Sequence, residues 1–143
     1  NPGEKIAEIG SIEIGRLYVN NNYGIYGQYT NLSDQLQTIS TASMDEIELG
    51  EAYFLTVLNG HEVSRCSIRI TDLKKQNEPD VKGITFEITD EEVLSLTNGI
   101  VQGMSGSPII QNNKLIGCVT HVDMNNVHQG YGLYIDWMLK NDK

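Results

Sequence analysis

The chain has 143 residues, a length that suits one domain, and a formal net charge of −9. No stretch gathers Lys and Arg into a basic stripe, which excludes a nucleic-acid surface, and the apolar runs are too short for a membrane-spanning helix. Fourteen glycines among many short alternating segments favour an all-β class.

No secretory signal pattern opens the sequence. It begins Asn1-Pro2-Gly3, without methionine, and reads as a piece of a longer polypeptide. Residues 6–19 alternate, with Ile12 and Ile14 on one side and Glu13 on the other, and Gly10 and Gly15 interrupt as bulges would. Asn20-Asn21-Asn22 reads as a turn into a second strand, 23–29, whose Gly24 and Gly27 suit tight barrel curvature. Residues 30–35 are a polar connection, and 35–40 and 45–50 read as short strands. Residues 53–58 run into Asn59-Gly60 and return along 61–71. This predicts a hairpin with a two-residue type I′ turn, because both central positions need positive φ. On the return strand Cys66, Ile68 and Ile70 share one face, while Ser67, Arg69 and Thr71 share the other. The charged stretch 72–82, with Pro79, predicts an exposed loop, the most mobile internal segment.

Residues 83–89 place Ile84, Phe86 and Ile88 inward. Thr89-Asp90-Glu91-Glu92 reads as a capping box with Asp90 at the first helical position, opening a short helix that ends near Asn98-Gly99. A second hairpin joins 109–111 to 115–122 through Asn112-Asn113. Residues 123–130 read as a polar loop, 131–135 as the last strand, and Trp137-Met138-Leu139 as the start of a closing helical turn. Together these elements predict an antiparallel Greek-key β-barrel with one or two short helices.

The chemistry concentrates in Gly103-Met104-Ser105-Gly106-Ser107-Pro108. Glycine reaches backbone angles that a Cβ forbids, so such a turn can aim successive N–H groups into the space where an oxyanion develops, with a serine oxygen beside it. Pro108 then fixes φ and starts an apolar strand. This order is that of chymotrypsin-like serine peptidases, whose base is a histidine held by a carboxylate. The lipase-type elbow fits worse: Ser107 stands where it needs glycine, and a strand follows where it needs a helix. The bland alternative is a Gly/Ser loop between two strands.

Residues 89–139 resemble one family closely, the sporulation serine peptidases of stage IV sporulation protein B. Thr89-Asp90 and the run from Gly99 through Ile110 carry the likeness. So do Ile116-Gly117, Val119-Thr120-His121-Val122, Gly130-Tyr131-Gly132 and Ile135-Asp136-Trp137-Met138-Leu139. Asn1-Pro2-Gly3-Glu4 and Tyr23-Gly24-Ile25-Tyr26-Gly27 are weaker echoes.

The resemblance implies a chymotrypsin-like fold and a membrane-anchored endopeptidase with a PDZ domain. It would work between the forespore and mother-cell membranes, cleaving a membrane-bound regulator to release late sigma-factor processing. It makes residues 1–143 the C-terminal portion of the peptidase domain, Ser105 the nucleophile and Asp90 the triad aspartate. The family histidine lies in a Gly-His motif upstream of the segment that matches Asn1, so this chain alone would lack its base. No cofactor, metal or nucleic acid is implied. The partners are a protein or peptide substrate and the upstream part of the same peptidase.

Each assignment has a plainer rival. Ser105 requires a base, because a serine hydroxyl is a poor nucleophile until its proton is accepted. Its oxyanion donors would be the Gly103 and Ser105 N–H groups. Asp90 could merely complement a helix dipole. His61 reads as a solvated hairpin tip and His128 as an exposed loop residue. His121 lies on the strand after the serine hairpin, where peptide substrate would lie along Thr120-His121-Val122. It would act as base only within hydrogen-bond reach of Ser105. Asp45-Glu46-Ile47-Glu48 and Lys74-Lys75 read as solvated faces. Cys66 and Cys118 lack metal-ligand spacing and read as buried free thiols, with a single disulfide as the alternative. A non-catalytic peptide-binding barrel is the rival to a peptidase.

Overall fold

The computed structural model of the chain describes residues 15–30, 37–58, 60–101 and 103–141. The expected strand over 6–14, most of the polar connection at 30–35 and the Asn59 half of the Asn59-Gly60 turn lie outside these residues.

β1 (Gly15–Asn21) and β2 (Gly24–Tyr29) pair antiparallel in a two-stranded sheet of their own. Gly24 and Gly27 therefore belong to this ribbon and not to the barrel. The barrel consists of β4 (Gly50–Val57), β5 (Val63–Leu73), β6 (Ile84–Ile88), β7 (Pro108–Gln111), β8 (Lys114–Asp123) and β9 (Asn126–Tyr134). Neighbours run β4-β5-β6-β9-β8-β7 and close through the β4–β7 pair, all antiparallel. The two-residue strand β3 (Ser40–Thr41) adds in parallel to the start of β8.

Closure leaves an inside and an outside, and the alternating residues sort accordingly. Cys66, Ile68 and Ile70 are buried while Ser67, Arg69 and Thr71 are exposed, and Ile84, Phe86 and Ile88 are buried too. Phe54 and Phe86 meet at the centre, ring centroids 5.9 Å apart and tilted by 55°, a geometry that adds about 1 kcal/mol beyond area burial.

Four of the five barrel connections join neighbouring strands, while β6 to β7 crosses one end of the barrel. That crossing carries α1 (Glu91–Thr97) and the Ser105 turn. Asp90 is the N-cap of α1 and not its first helical residue: the Asp90 carboxylate accepts from the Val93 N–H, and no Thr89 capping box forms. A free carboxylate takes the cap in preference to a hydroxyl one residue earlier. The helix ends as its sequence predicts, with Asn98 in the left-handed region and Gly99 after it.

The two Asn-containing turns behave differently. Asn112 and Asn113, at φ 51° and 61°, alone join Gln111 to Lys114, as a type I′ turn requires. The β4–β5 register pairs Val57 with Val63, so five residues, 58–62, make that connection in place of a two-residue turn. The stretch expected as a strand at 45–50 begins instead in a single 3-10 turn, Met44–Glu46, with Ile47 buried between exposed acids. The expected polar loop 123–130 is a tight turn, Met124-Asn125, and the first half of β9, because the β8–β9 ladder continues to Asp123↔Asn126. α2 (Ile135–Asn141) starts two residues earlier than the sequence suggests and closes the barrel with Trp137.

Residues 74–83 form a loop exposed at its charged side chains but held along its backbone. The Lys74 N–H donates to Gly83 O (2.9 Å), and the single proton of the Tyr134 hydroxyl is shared between Lys74 O (2.8 Å) and Gly83 O (3.0 Å). The Trp137 indole donates to Gln76 Oε1 (2.8 Å). These bonds give no support to the expectation that this segment is the most mobile one.

Candidate active site at Ser105

Two successive turns build the site. Met104 N–H donates to Val101 O (3.2 Å), and Ser107 N–H donates to Met104 O (3.1 Å). Each turn carries a glycine at its third position, Gly103 at φ 105° and Gly106 at φ 88°. A Cβ at either would meet nothing within 4 Å, so backbone conformation and not space demands glycine there. Gly106 N–H then donates to Val119 O (2.7 Å) and Val119 N–H to Ser107 O (2.9 Å), which ties the double turn to β8. Met104 is buried, so the turn is anchored in the core while Ser105 stands exposed.

The Gly106 and Ser107 N–H groups are thus consumed by the fold. Those of Gly103 and Ser105 donate to no acceptor among the described residues. They are the two groups that the sequence nominates as oxyanion donors. The Ser105 hydroxyl donates to Thr120 O at 3.3 Å.

Ser105 opens onto a groove of about 270 Å³. One wall is β8, with Cys118, Val119, Thr120 and His121. The other is the β1–β2 turn, with Asn21, Asn22 and Tyr23, and Val81 of the 74–83 loop borders it as well. Val122 and Asp90 do not line it. Beyond Val119, β8 pairs only with β9 among the described residues, so residues 120–122 keep an unpaired edge. The sequence pointed to β8 but not to the opposite wall. Its signals there were the Asn20-Asn21-Asn22 turn and the weaker family echo at Tyr23-Gly24-Ile25-Tyr26-Gly27, and neither named a role in the site.

Asp90 sits at the N-terminus of α1. Its Oδ1 accepts from the Val93 N–H (3.0 Å) and its Oδ2 from the Ser67 N–H (3.3 Å). All three histidines are exposed, and none is a hydrogen-bond partner of Ser105. His61 lies in the β4–β5 connection, and His128 lies on β9 where a loop was expected. Among the described residues no group of His, Cys, Asp and Glu could hold a metal ion.

Both cysteines are free, so the disulfide alternative falls. Burial pushes the Cys66 thiol up to about 12, reinforced by the nearby Asp90 carboxylate, and burial raises Cys118 as well. Cys118 thus lines the groove as a thiol whose ionisation burial disfavours.

The sequence model of the SpoIVB peptidase S55 family matches residues 1–139. The chain belongs to this family. No curated protein matches the chain. As a SpoIVB-type chain it is, at the level of its family, a serine peptidase from a sporulating bacterium, built on a chymotrypsin-like barrel. No described helix is long and apolar enough to cross a membrane.

Proposed function

We propose that this chain carries the nucleophile of a sporulation endopeptidase that cleaves a membrane-bound regulator and thereby triggers late sigma-factor processing. It would be the C-terminal portion of the catalytic domain, working between the forespore and mother-cell membranes. The observation that carries the reading is the double glycine turn. It presents Ser105 to a groove while the Gly103 and Ser105 N–H groups remain uncommitted.

In this reading a peptide lies along the unpaired edge at Thr120, His121 and Val122. Ser105 Oγ attacks the carbonyl carbon and its proton passes to a histidine. The Gly103 and Ser105 N–H groups hold the oxyanion, and the same histidine returns the proton to the leaving amine. Water then releases the acyl group. Asp90 fixes the histidine tautomer. The histidine comes from the part of the peptidase upstream of Asn1, in keeping with the absence of His61, His121 and His128 from the partners of Ser105.

Fluorophosphonate labelling tests this. The fragment alone labels slowly, the same polypeptide with its upstream segment labels fast, and Ser105→Ala abolishes labelling. Absence of labelling in the longer polypeptide would favour the peptide-binding barrel. Fast labelling of the fragment would place the base within it, with His121 as the residue already lining the groove.

A further inference from the structure

The 74–83 loop touches both walls of the Ser105 groove. Its neck is clasped by the Lys74 N–H to Gly83 O bond and by the Tyr134 hydroxyl, so it is a compact loop with joined ends. On one side the Thr120 hydroxyl donates to Val81 O at 2.7 Å. A second carbonyl, Tyr131 O, lies at 3.2 Å from the same hydroxyl, but one proton serves the shorter contact best. On the other side the Tyr23 hydroxyl reaches Pro79 O at 3.4 Å, and Tyr23 belongs to the β1–β2 wall. Lys82 packs its ammonium over the Tyr131 ring, 4.9 Å from the centroid, on the strand beside β8. Thr120 therefore faces two ways: its side chain holds the loop, and its carbonyl receives the Ser105 hydroxyl.

We propose that the 74–83 loop is a brace holding the two walls of the groove together, and that Thr120 is the positioning residue through which it sets the Ser105 hydroxyl. This deepens, and rests on, the reading of Ser105 as the nucleophile. Thr120 Oγ1 takes no part in bond making. Its hydrogen bond fixes the rotation of the β8 backbone at the point where β7 stops pairing, and so fixes the direction of the carbonyl that Ser105 meets. The strand partner on β9 cannot do this alone, because the β8–β9 register shifts between Val119 and His121. A bulge leaves one residue without a paired partner, and here that residue is Thr120.

The test uses the full parent peptidase for turnover and the present chain for hydrogen exchange. Thr120→Val keeps shape and strand preference but removes the donor. It should lower kcat about tenfold with KM changed less than about twofold, and should speed exchange of the Lys74 amide in the loop neck. Thr120→Ser restores the donor and should recover kcat to within about threefold. Tyr134→Phe unclasps the neck from the far side and should lower kcat about threefold, which keeps the test open should the valine variant fold poorly. Unchanged kcat in Thr120→Val, failure of Thr120→Ser to rescue, or unchanged exchange at Lys74 would each overturn the brace. Ser105→Ala separates the two readings: turnover that survives it would sink the nucleophile assignment, while the exchange measurement would still judge the brace.

Discussion

Ser105 and Asp90 lie on the same crossing from β6 to β7, fifteen residues apart, and their polar atoms are in opposite states. Asp90 is held by two backbone donors, Val93 and Ser67 N–H, and does not line the groove. Ser105 has an exposed hydroxyl with one carbonyl partner, and an N–H with no acceptor among the described residues. A saturated group is fixed in place, whereas an unsaturated one is available to react. Saturation does not retire Asp90, since each carboxylate oxygen has a second lone pair and an aspartate pinned by backbone amides is well suited to hold a histidine. The contrast says that Ser105 would act on substrate and that Asp90, if it acts, would act through another residue.

The largest effect breaks this comparison at Asp90. Asp90→Asn keeps a good N-cap but loses the charge and one of the two acceptors. If Asp90 orients the histidine, kcat of the parent peptidase falls by about 10⁴-fold while thermal unfolding shifts by only about 3 °C. Equal, small losses in both measurements would leave Asp90 as a cap alone. The next effect concerns the turn. Gly103→Ala forces strain at φ 105° and should cost about 1–3 kcal/mol in stability and about 10²–10³-fold in kcat, by misdirecting an oxyanion donor. Gly50 supplies the control: it sits at φ 114° with nothing within 4 Å, and it does not line the groove. Gly50→Ala should lose similar stability and keep kcat. If both variants lose kcat alike, the Gly103 N–H has no special role.

Much of this was legible beforehand because the barrel imposes a period of two and the sequence obeys it. Cys66, Ile68 and Ile70, and Ile84, Phe86 and Ile88, face inward as their alternation predicts. The Gly103 and Gly106 turn could be read because positive φ without a steric reason leaves few alternatives to glycine. Polar strands hid themselves. Asn126, Val127 and His128 carry no apolar alternation, yet they open β9, where Asn126 pairs with Asp123 across the turn. The Asn59-Gly60 pair promised a two-residue turn, but a register fixed by Phe54↔Cys66 and Ala52↔Ile68 gave the connection five residues. The far wall of the groove went unassigned because Tyr23 and Val81 come to line it with Ser105 only through long-range packing. The 74–83 loop looked loose because its composition is charged, while the bonds that hold it come from Tyr134 and Trp137, about sixty residues away.

The smallest effect sharpens the comparison at a second saturated group. The Tyr134 hydroxyl is buried between two carbonyls, with Lys74 O at 2.8 Å and Gly83 O at 3.0 Å sharing its one proton, and burial, with Asp72 and Asp136 adding to it, pushes its pKa from 10.0 up to about 12. The folded state therefore keeps the proton where the unfolded chain releases it. That contribution is present in full below pH 10 and is lost as pH rises from 10 to about 12. Cys66 adds a loss of the same sign, starting lower, because its thiol rises from 9.0 to about 12. Tyr134→Phe should be less stable than the parent at pH 7 by about 1 kcal/mol, the net worth of a buried hydrogen bond. Urea unfolding at pH 7, 9, 10 and 11 should show that gap closing above pH 10, because only the parent loses the Tyr134 contribution. The Cys66 loss is common to both proteins and cancels. A gap that stays constant from pH 7 to 11 would mean that the Tyr134 hydroxyl ionises alike in the folded and unfolded chain, and so is not the closed, saturated clasp of the loop neck that its two carbonyl partners describe.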